Sequence, residues 1–266
     1  MVDFDYVRPT RVVQAVALLA SHPEAKALSG GQTLIPTLKQ RLARPTLLVD
    51  LQALTPLRGI EVTADQVSVG AFSRHAETAS HPGIALALPA LSHLAGGIAH
   101  PQVRHMGTMG GSIANNDPAA DYPAALMGLA AQVETSQRTL SADEFFTGMF
   151  STALAPSELV VRIRFSRPER AGYCKMPNLA SGYVTAGCFI ARWPDGQVRV
   201  AINGAGPCVF RARELEALLQ ADFSLKTLER WQLPATGLNS DLHASAEYRA
   251  QLVQVAARKA LQMALA

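Results

Sequence analysis

Residues 28–51 read LSGGQTLIPTLKQRLARPTLLVDL, and the glycine pair Gly30-Gly31 near their start organises what lies on either side. Ahead of the pair, Ala25-Lys26-Ala27-Leu28 predicts a short strand that runs directly into a turn. Behind it, residues 34–41 predict a helix with Pro36 in its first turn, where a missing N–H is tolerated. Leu47-Leu48-Val49-Asp50-Leu51 is a near-continuous apolar run of the kind buried on both faces of a sheet. Upstream, Val12, Val13, Val16, Leu19 and Ala20 recur at helical spacing behind Thr10 as N-cap. Helix, strand, glycine turn, helix and strand together describe a small α/β unit with parallel pairing over residues 1–56.

From Leu57 the pattern changes. Gln66-Val67-Ser68-Val69-Gly70 alternates with period two, as a half-buried strand does. Residues 73–79, 89–98 and 123–131 predict helices, and residues 132–135 and 159–165 predict strands. They describe a second subdomain with an antiparallel sheet over residues 57–168. Charge and turn formers at residues 168–172 mark a boundary. Beyond it, residues 183–191 and 197–203 predict strands joined at Pro194-Asp195-Gly196, and residues 211–220, 225–232 and 246–265 predict helices. The expected class is α+β, closing with a small C-terminal α+β domain over residues 169–266.

A second glycine pair lies at Thr108-Met109-Gly110-Gly111-Ser112. Without a Cβ, such turns let backbone N–H groups approach an anion closely, and successive N–H groups form nests for phosphate oxygens. Hydroxyls bracket each pair: Ser29 and Thr33, Thr108 and Ser112. On physical grounds the two turns point to a phosphate-bearing ligand or to tight connections. The following Asn115-Asn116-Asp117-Pro118-Ala119-Ala120-Asp121 fits either a solvated loop or a carboxylate that accepts ligand hydroxyls. Arg104 is compatible with a structural turn or with neutralising a pyrophosphate, and His105 alone indicates no ligand.

Composition excludes several classes. The 266 residues are 48% hydrophobic and 17% charged, enough for a buried core, and the net charge of +3 is spread too thinly for a nucleic-acid footprint. No apolar run reaches the length of a membrane span, and the N-terminus lacks the features of a signal peptide, so a cytoplasmic location is expected. Cys174, Cys188 and Cys208 match no metal-site spacing, and three thiols are too few for a conventional iron–sulfur cluster. The dinucleotide fingerprint, the P-loop, the zincin motif and the nucleophile elbow do not occur. No catalytic side chain and no metal ligand set are expected.

Residues 28–51, residues 98–126 (IAHPQVRHMGTMGGSIANNDPAADYPAAL) and residues 245–252 (SAEYRAQL) resemble the FAD-binding medium subunit of molybdenum hydroxylases, the family of xanthine and carbon monoxide dehydrogenases. The resemblance covers nearly the whole chain in order. It implies a two-subdomain FAD domain of the vanillyl-alcohol-oxidase (PCMH) type. It implies FAD contacts by Lys26, Ala27, Leu28, Ser29, Gly30, Gly31, Gln32 and Thr33, and by Thr108, Met109, Gly110, Gly111 and Ser112. Asp121 matches an acidic residue that binds a sugar or ribityl hydroxyl, Leu159 or Val160 a position near the rings, Lys175 a lysine near the flavin, and Tyr183 a cover for one isoalloxazine face. Read without the family, Lys175 is equally a surface lysine and Tyr183 a half-buried strand aromatic.

The sequence departs from the family at Ser112, where Asn is usual, at Arg104-His105 in place of Arg-Asn, and at Gln32-Thr33. These changes affect ring contacts rather than FAD binding. The resemblance implies an electron-transfer subunit. A molybdopterin-binding large subunit and a [2Fe-2S] small subunit feed the flavin, and NAD, oxygen or another acceptor drains it, within a dimer of heterotrimers. The alternative is a standalone flavin-dependent oxidase of a small substrate. The residues after Gly172 show no acid–base pair for that role.

Overall fold

The apolar run at residues 47–51 becomes the centre of a three-stranded parallel sheet. In the computed structural model, which describes residues 1–266, β1 (Asp5–Val7) and β2 (Ala25–Leu28) lie on either side of β3 (Leu47–Asp50) and pair with it in parallel. Helices α1 (Val12–Ser21) and α2 (Leu34–Lys39) make the crossovers that parallel pairing demands. All four residues of β3 are buried, which explains why the run shows no alternation. α1 starts behind Arg11 rather than Thr10, and no side chain caps it. Ala15, Leu47, Val49, Leu54 and Leu57 form the core of this part, joined by Leu159 from far along the chain.

The middle of the chain contains β4 (Ile60–Val62), β5 (Gln66–Gly70), β6 (Gln132–Thr135), β7 (Thr139–Ser141), β8 (Phe146–Gly148), β9 (Ser151–Thr152) and β10 (Val160–Ser166). Five of these form an antiparallel sheet in the order β4-β5-β10-β6-β7, and β8 and β9 form a separate hairpin. Helices α3 (His75–Ser80), α4 (Pro82–Ala87), α5 (Pro89–Gly96), α6 (Pro101–Arg104), α7 (Met109–Asn115), α8 (Tyr122–Gly128) and α9 (Ala142–Phe145) belong to the same part. Val67, Val69, Leu91, Leu94, Ile113, Leu126, Ile163 and Phe165 share one continuous core. The Glu77 half of a capping box fixes the start of α3: the Arg74 N–H donates to Glu77 Oε2 at 2.8 Å.

The last sheet is antiparallel, with β11 (Arg170–Pro177), β12 (Val184–Arg192), β13 (Val198–Asn203) and β14 (Phe210–Arg211) in sequence order. Helices α10 (Arg213–Ala221) and α11 (Ala246–Leu265) pack on it. Arg249 is the cationic member of the SAEYRAQL segment. It is buried in α11 and donates to the carbonyls of Thr185 (2.6 Å) and Gly204 (3.0 Å) and to Asp241 (2.7 Å). It thereby ties the helix to the ends of β12 and β13.

Two segments differ from the sequence reading. Residues 170–172 are not a turn but the start of β11. Their turn-like composition serves the helix contact: Arg170 donates to the Leu265 carbonyl at 3.1 Å, and a Cβ on Gly172 would lie 2.1 Å from the Ala260 carbonyl oxygen. The second glycine pair is likewise the first turn of α7 rather than a loop. Gly172→Ala forces α11 away from β11 and is expected to destabilise by about 1–3 kcal/mol. An unchanged urea midpoint would contradict the close approach.

Candidate functional site

The two glycine segments meet. A Cβ on Gly30 would sit 2.3 Å from the Met106 carbonyl oxygen and 2.7 Å from Gly107 Cα, so this crossing admits only glycine. Ser29 Oγ and Thr108 Oγ1 share a hydrogen bond of 2.8 Å beside it. Gly31 supplies the left-handed backbone, φ +69°, that turns the chain into α2.

Chemically the two segments are not alike. The backbone N–H groups of Ser29, Gly30, Gly31, Gln32 and Thr33 donate to no protein acceptor. Beyond Thr108, those of the second segment are committed: Met109 N–H to the Ser73 carbonyl (3.0 Å), Gly110 N–H to the Ala71 carbonyl (2.8 Å), Gly111 N–H to the capping Thr108 Oγ1 (3.2 Å) and Ser112 N–H to the Thr108 carbonyl (3.0 Å). Gly110 is glycine because a Cβ there would meet Ala71 Cβ at 2.6 Å. The first segment thus offers donors, whereas the second offers a smooth wall and two hydroxyls.

Both segments line one cavity of about 630 Å³ where the three parts of the chain converge. Lys26, Ala27, Ser29, Gly30, Gly31, Gln32 and Thr33 border it on one side, and Thr108, Gly110, Gly111, Ser112 and Asp121 on another. Leu159, Val160 and Tyr183 also line it, with apolar wall from Leu57, Phe72 and Ile98. Three expected residues lie off the lining. Leu28 borders a smaller neighbouring cleft, Met109 is fully buried in the core, and Lys175 stands behind Asp121 with its Nζ 3.0 Å from Asp121 Oδ1. Asp121 also accepts a hydrogen bond from Tyr173 Oη at 2.9 Å. Tyr183 is half exposed at the rim, where burial and the charge of Asp117 raise its phenol pKa.

Sequence reasoning missed His75 and Glu158 in the lining and offered Asp117 only as one of two carboxylates in its segment. Asp117 accepts the Ala119 N–H at 2.9 Å, and burial raises its carboxyl pKa. His75 is buried against Gly107 and Tyr122, and its Nδ1 has no protein partner. Burial, with the Arg104 charge behind it, lowers its pKa to about 4, so the ring is neutral near pH 7. Glu158 immediately precedes Leu159 and Val160 in the lining. It accepts from Thr135 (2.6 Å), Arg138 (3.1 Å) and the Ala155 N–H (2.9 Å), which fixes the segment on the cavity wall. No pattern in the sequence marks His75 or Glu158, whose partners are set by the tertiary fold.

Burial pushes the Glu158 carboxyl up, but Arg138, Thr135 and the Ala155 N–H outweigh it and hold the pKa below the ordinary 4.5. Its contribution is therefore complete above the unfolded value and is lost as pH falls through the lower folded one. Glu158→Gln should be less stable than the parent at about pH 7, with the gap closing toward about pH 3, in urea midpoints measured across that range. A gap independent of pH would refute the assignment.

Comparison with known proteins agrees with this geometry. The family described as "FAD binding domain in molybdopterin dehydrogenase" matches residues 2–168. The nicotine 6-hydroxylase medium subunit of Paenarthrobacter nicotinovorans is 33% identical, over 96% of this chain and 95% of its own length. The carbon monoxide dehydrogenase medium chain of Hydrogenophaga pseudoflava is 32% identical, over 99% and 97%. A solved carbon monoxide dehydrogenase from Hydrogenophaga pseudoflava superposes with a TM-score of 0.87 at 32% identity, covering 98% of this chain and 97% of that one. Fold, cavity and relatives converge, and the chain belongs to the FAD-binding medium subunits of molybdenum hydroxylases.

Proposed function

We propose that the cavity holds FAD and that the chain is the electron-transfer subunit of a molybdenum hydroxylase. It takes electrons from the [2Fe-2S] clusters of a small partner subunit, which a molybdopterin-binding large subunit reduces, and delivers them to NAD or another acceptor. The observation that carries this reading is the run of five backbone N–H groups, Ser29 to Thr33, without protein acceptors on the border of the cavity. Such a run suits a pyrophosphate, which can take several N–H donors at once. The cavity is within the roughly 300–1,000 Å³ common for ligand sites.

The remaining lining divides by chemistry. The Thr108 and Ser112 hydroxyls, also in the lining, are a second set of phosphate partners. Asp121 is the acceptor for a sugar or ribityl hydroxyl. Leu159 and Val160 supply apolar contact for the rings, and Tyr183 covers one ring face. When bound, FAD supplies the exchange between one-electron and two-electron carriers. The chain's own task is to bind and orient it and to exclude water from the apolar side. No helix is long and apolar enough to cross a membrane, and the proposed assembly is a cytoplasmic dimer of heterotrimers.

Purified chain mixed with FAD should retain one flavin per chain after gel filtration and turn yellow, and a chain that stays colourless under these conditions defeats the reading. Purification from the native source should bring down two partner chains together with molybdenum and iron; a chain that oxidises small alcohols alone under air would instead favour the standalone oxidase. Gly31→Ala places a side chain at φ +69° with Ile35 3.0 Å away. Its strain of about 1–2 kcal/mol should lower FAD affinity about tenfold in a fluorescence titration, and an unaltered Kd would remove the first loop from the site.

A further inference from the structure

Lys175 does not border the cavity, yet two pieces of the site converge on its ammonium group. Nζ lies 3.0 Å from Asp121 Oδ1 and 3.1 Å from the Gly182 carbonyl oxygen, and the side chain is only 13% exposed. Tyr173 stands two residues away on the same face of β11, and its Oη donates to Asp121 Oδ1 at 2.9 Å. Asn203 Nδ2 donates to that Tyr173 Oη at 3.3 Å and to the Ala120 carbonyl at 2.7 Å. The Tyr173 hydroxyl proton is therefore directed at the carboxylate. Backbone bonds set the same junction: Val184 N–H to the Ala119 carbonyl (3.1 Å) and Gly204 N–H to the Pro118 carbonyl (2.9 Å).

We propose that Tyr173 and Lys175 are positioning residues: they hold the Asp121 carboxylate in the cavity wall, and Lys175 ties it to the 178–183 turn that carries Tyr183. This rests on the FAD reading of the cavity. A carboxylate has about four acceptor positions, so the two donors from β11 leave others for a ligand hydroxyl. A buried carboxylate without such donors is disfavoured in its charged form. At Asp121 burial does press the pKa upward, and Lys175 and Tyr173 oppose it. The turn itself is short and specific. Asn178 Oδ1 accepts the N–H groups of Ala180 and Ser181, and Gly182 has φ +74° with its Cα side against Ala99. Its anchor to the rest of the site is the Gly182 carbonyl on Lys175. Lys175 thus acts on a ligand through Asp121 and through the placement of Tyr183 rather than by touching it.

A mutant cycle on the full chain separates the two modes. FAD dissociation constants are measured by flavin fluorescence for the parent, Lys175→Met, Asp121→Asn and the double variant. Each single change should weaken binding about tenfold, and with the cycle run in a Tyr183→Ala background, which removes the ring-cover route, the double variant should bind no more weakly than Asp121→Asn alone. A further drop of the same size in the double variant would mean that Lys175 contacts the ligand directly and would overturn the proposal. Tyr173→Phe keeps the ring in the core and should weaken FAD binding while leaving the melting temperature near that of the parent; unchanged affinity in this variant removes Tyr173 from the role. The tie to the turn has its own readout: chymotrypsin cleavage at Leu179 and Tyr183 without added FAD should be severalfold faster in Lys175→Met and unchanged in Tyr173→Phe. Equal cleavage of Lys175→Met and parent would overturn that part. A parent chain that takes no FAD defeats the reading of the cavity, and the cleavage rates then still decide the clamp.

Discussion

The crossing of Gly30 over the Met106–Gly107 backbone is the contact on which the site depends. It brings a loop at the end of β2 against a segment more than seventy residues later, at a distance that no Cβ allows. Once that approach is made, Ser29 can reach Thr108, and Thr108 caps the helix whose first turn carries the second glycine pair. The parallel three-stranded unit is thus docked on the antiparallel part by this backbone contact and hydroxyl pair, together with the apolar packing of Phe72 and Leu159 into its core. The cavity is the space left where these parts and the last sheet converge. Its shape follows from main-chain geometry, which fixes it more firmly than flexible side chains could.

Charge inside this space is handled by pairing. Asp121 and Glu158 are both buried acids on the cavity wall, and each has a cation and a hydroxyl as donors: Lys175 with Tyr173, and Arg138 with Thr135. Each arrangement also spans chain segments distant in sequence. The donors that favour the charged form of each acid are therefore the same contacts that fix the positions of the wall segments.

Much of this was legible in the sequence. The first glycine loop, β2, β3, β6 and α11 follow from local signals: an apolar run without alternation, a strand ending in Gly-Gly, and Ser245 at the head of a long Ala-rich helix. The motifs placed most of the lining residues on one cavity. The equivalence drawn between the two glycine pairs was not justified, because glycine is a poor helix former and its helical role here is set by Ala71, nearly forty residues upstream. β11 escaped notice because Arg170 and Gly172 look like turn residues, while their actual reason is the backbone of α11. With that strand went Tyr173, whose partner Asp121 lies 52 residues before it. Pairings of this kind exist only after the sheet has formed, and no window of sequence contains them.

The unshared N–H groups of the first loop also bear on the fate of the newly made chain. A ligand that binds only the folded state stabilises it by RT ln(1 + [L]/Kd), about 4 kcal/mol at a thousandfold excess over Kd. On the proposed seating of FAD on Ser29 to Thr33, folding and flavin uptake would be one coupled equilibrium. The nucleotide would then act as a structural ligand as well, and the supply of flavin would set how much of the chain is durably folded.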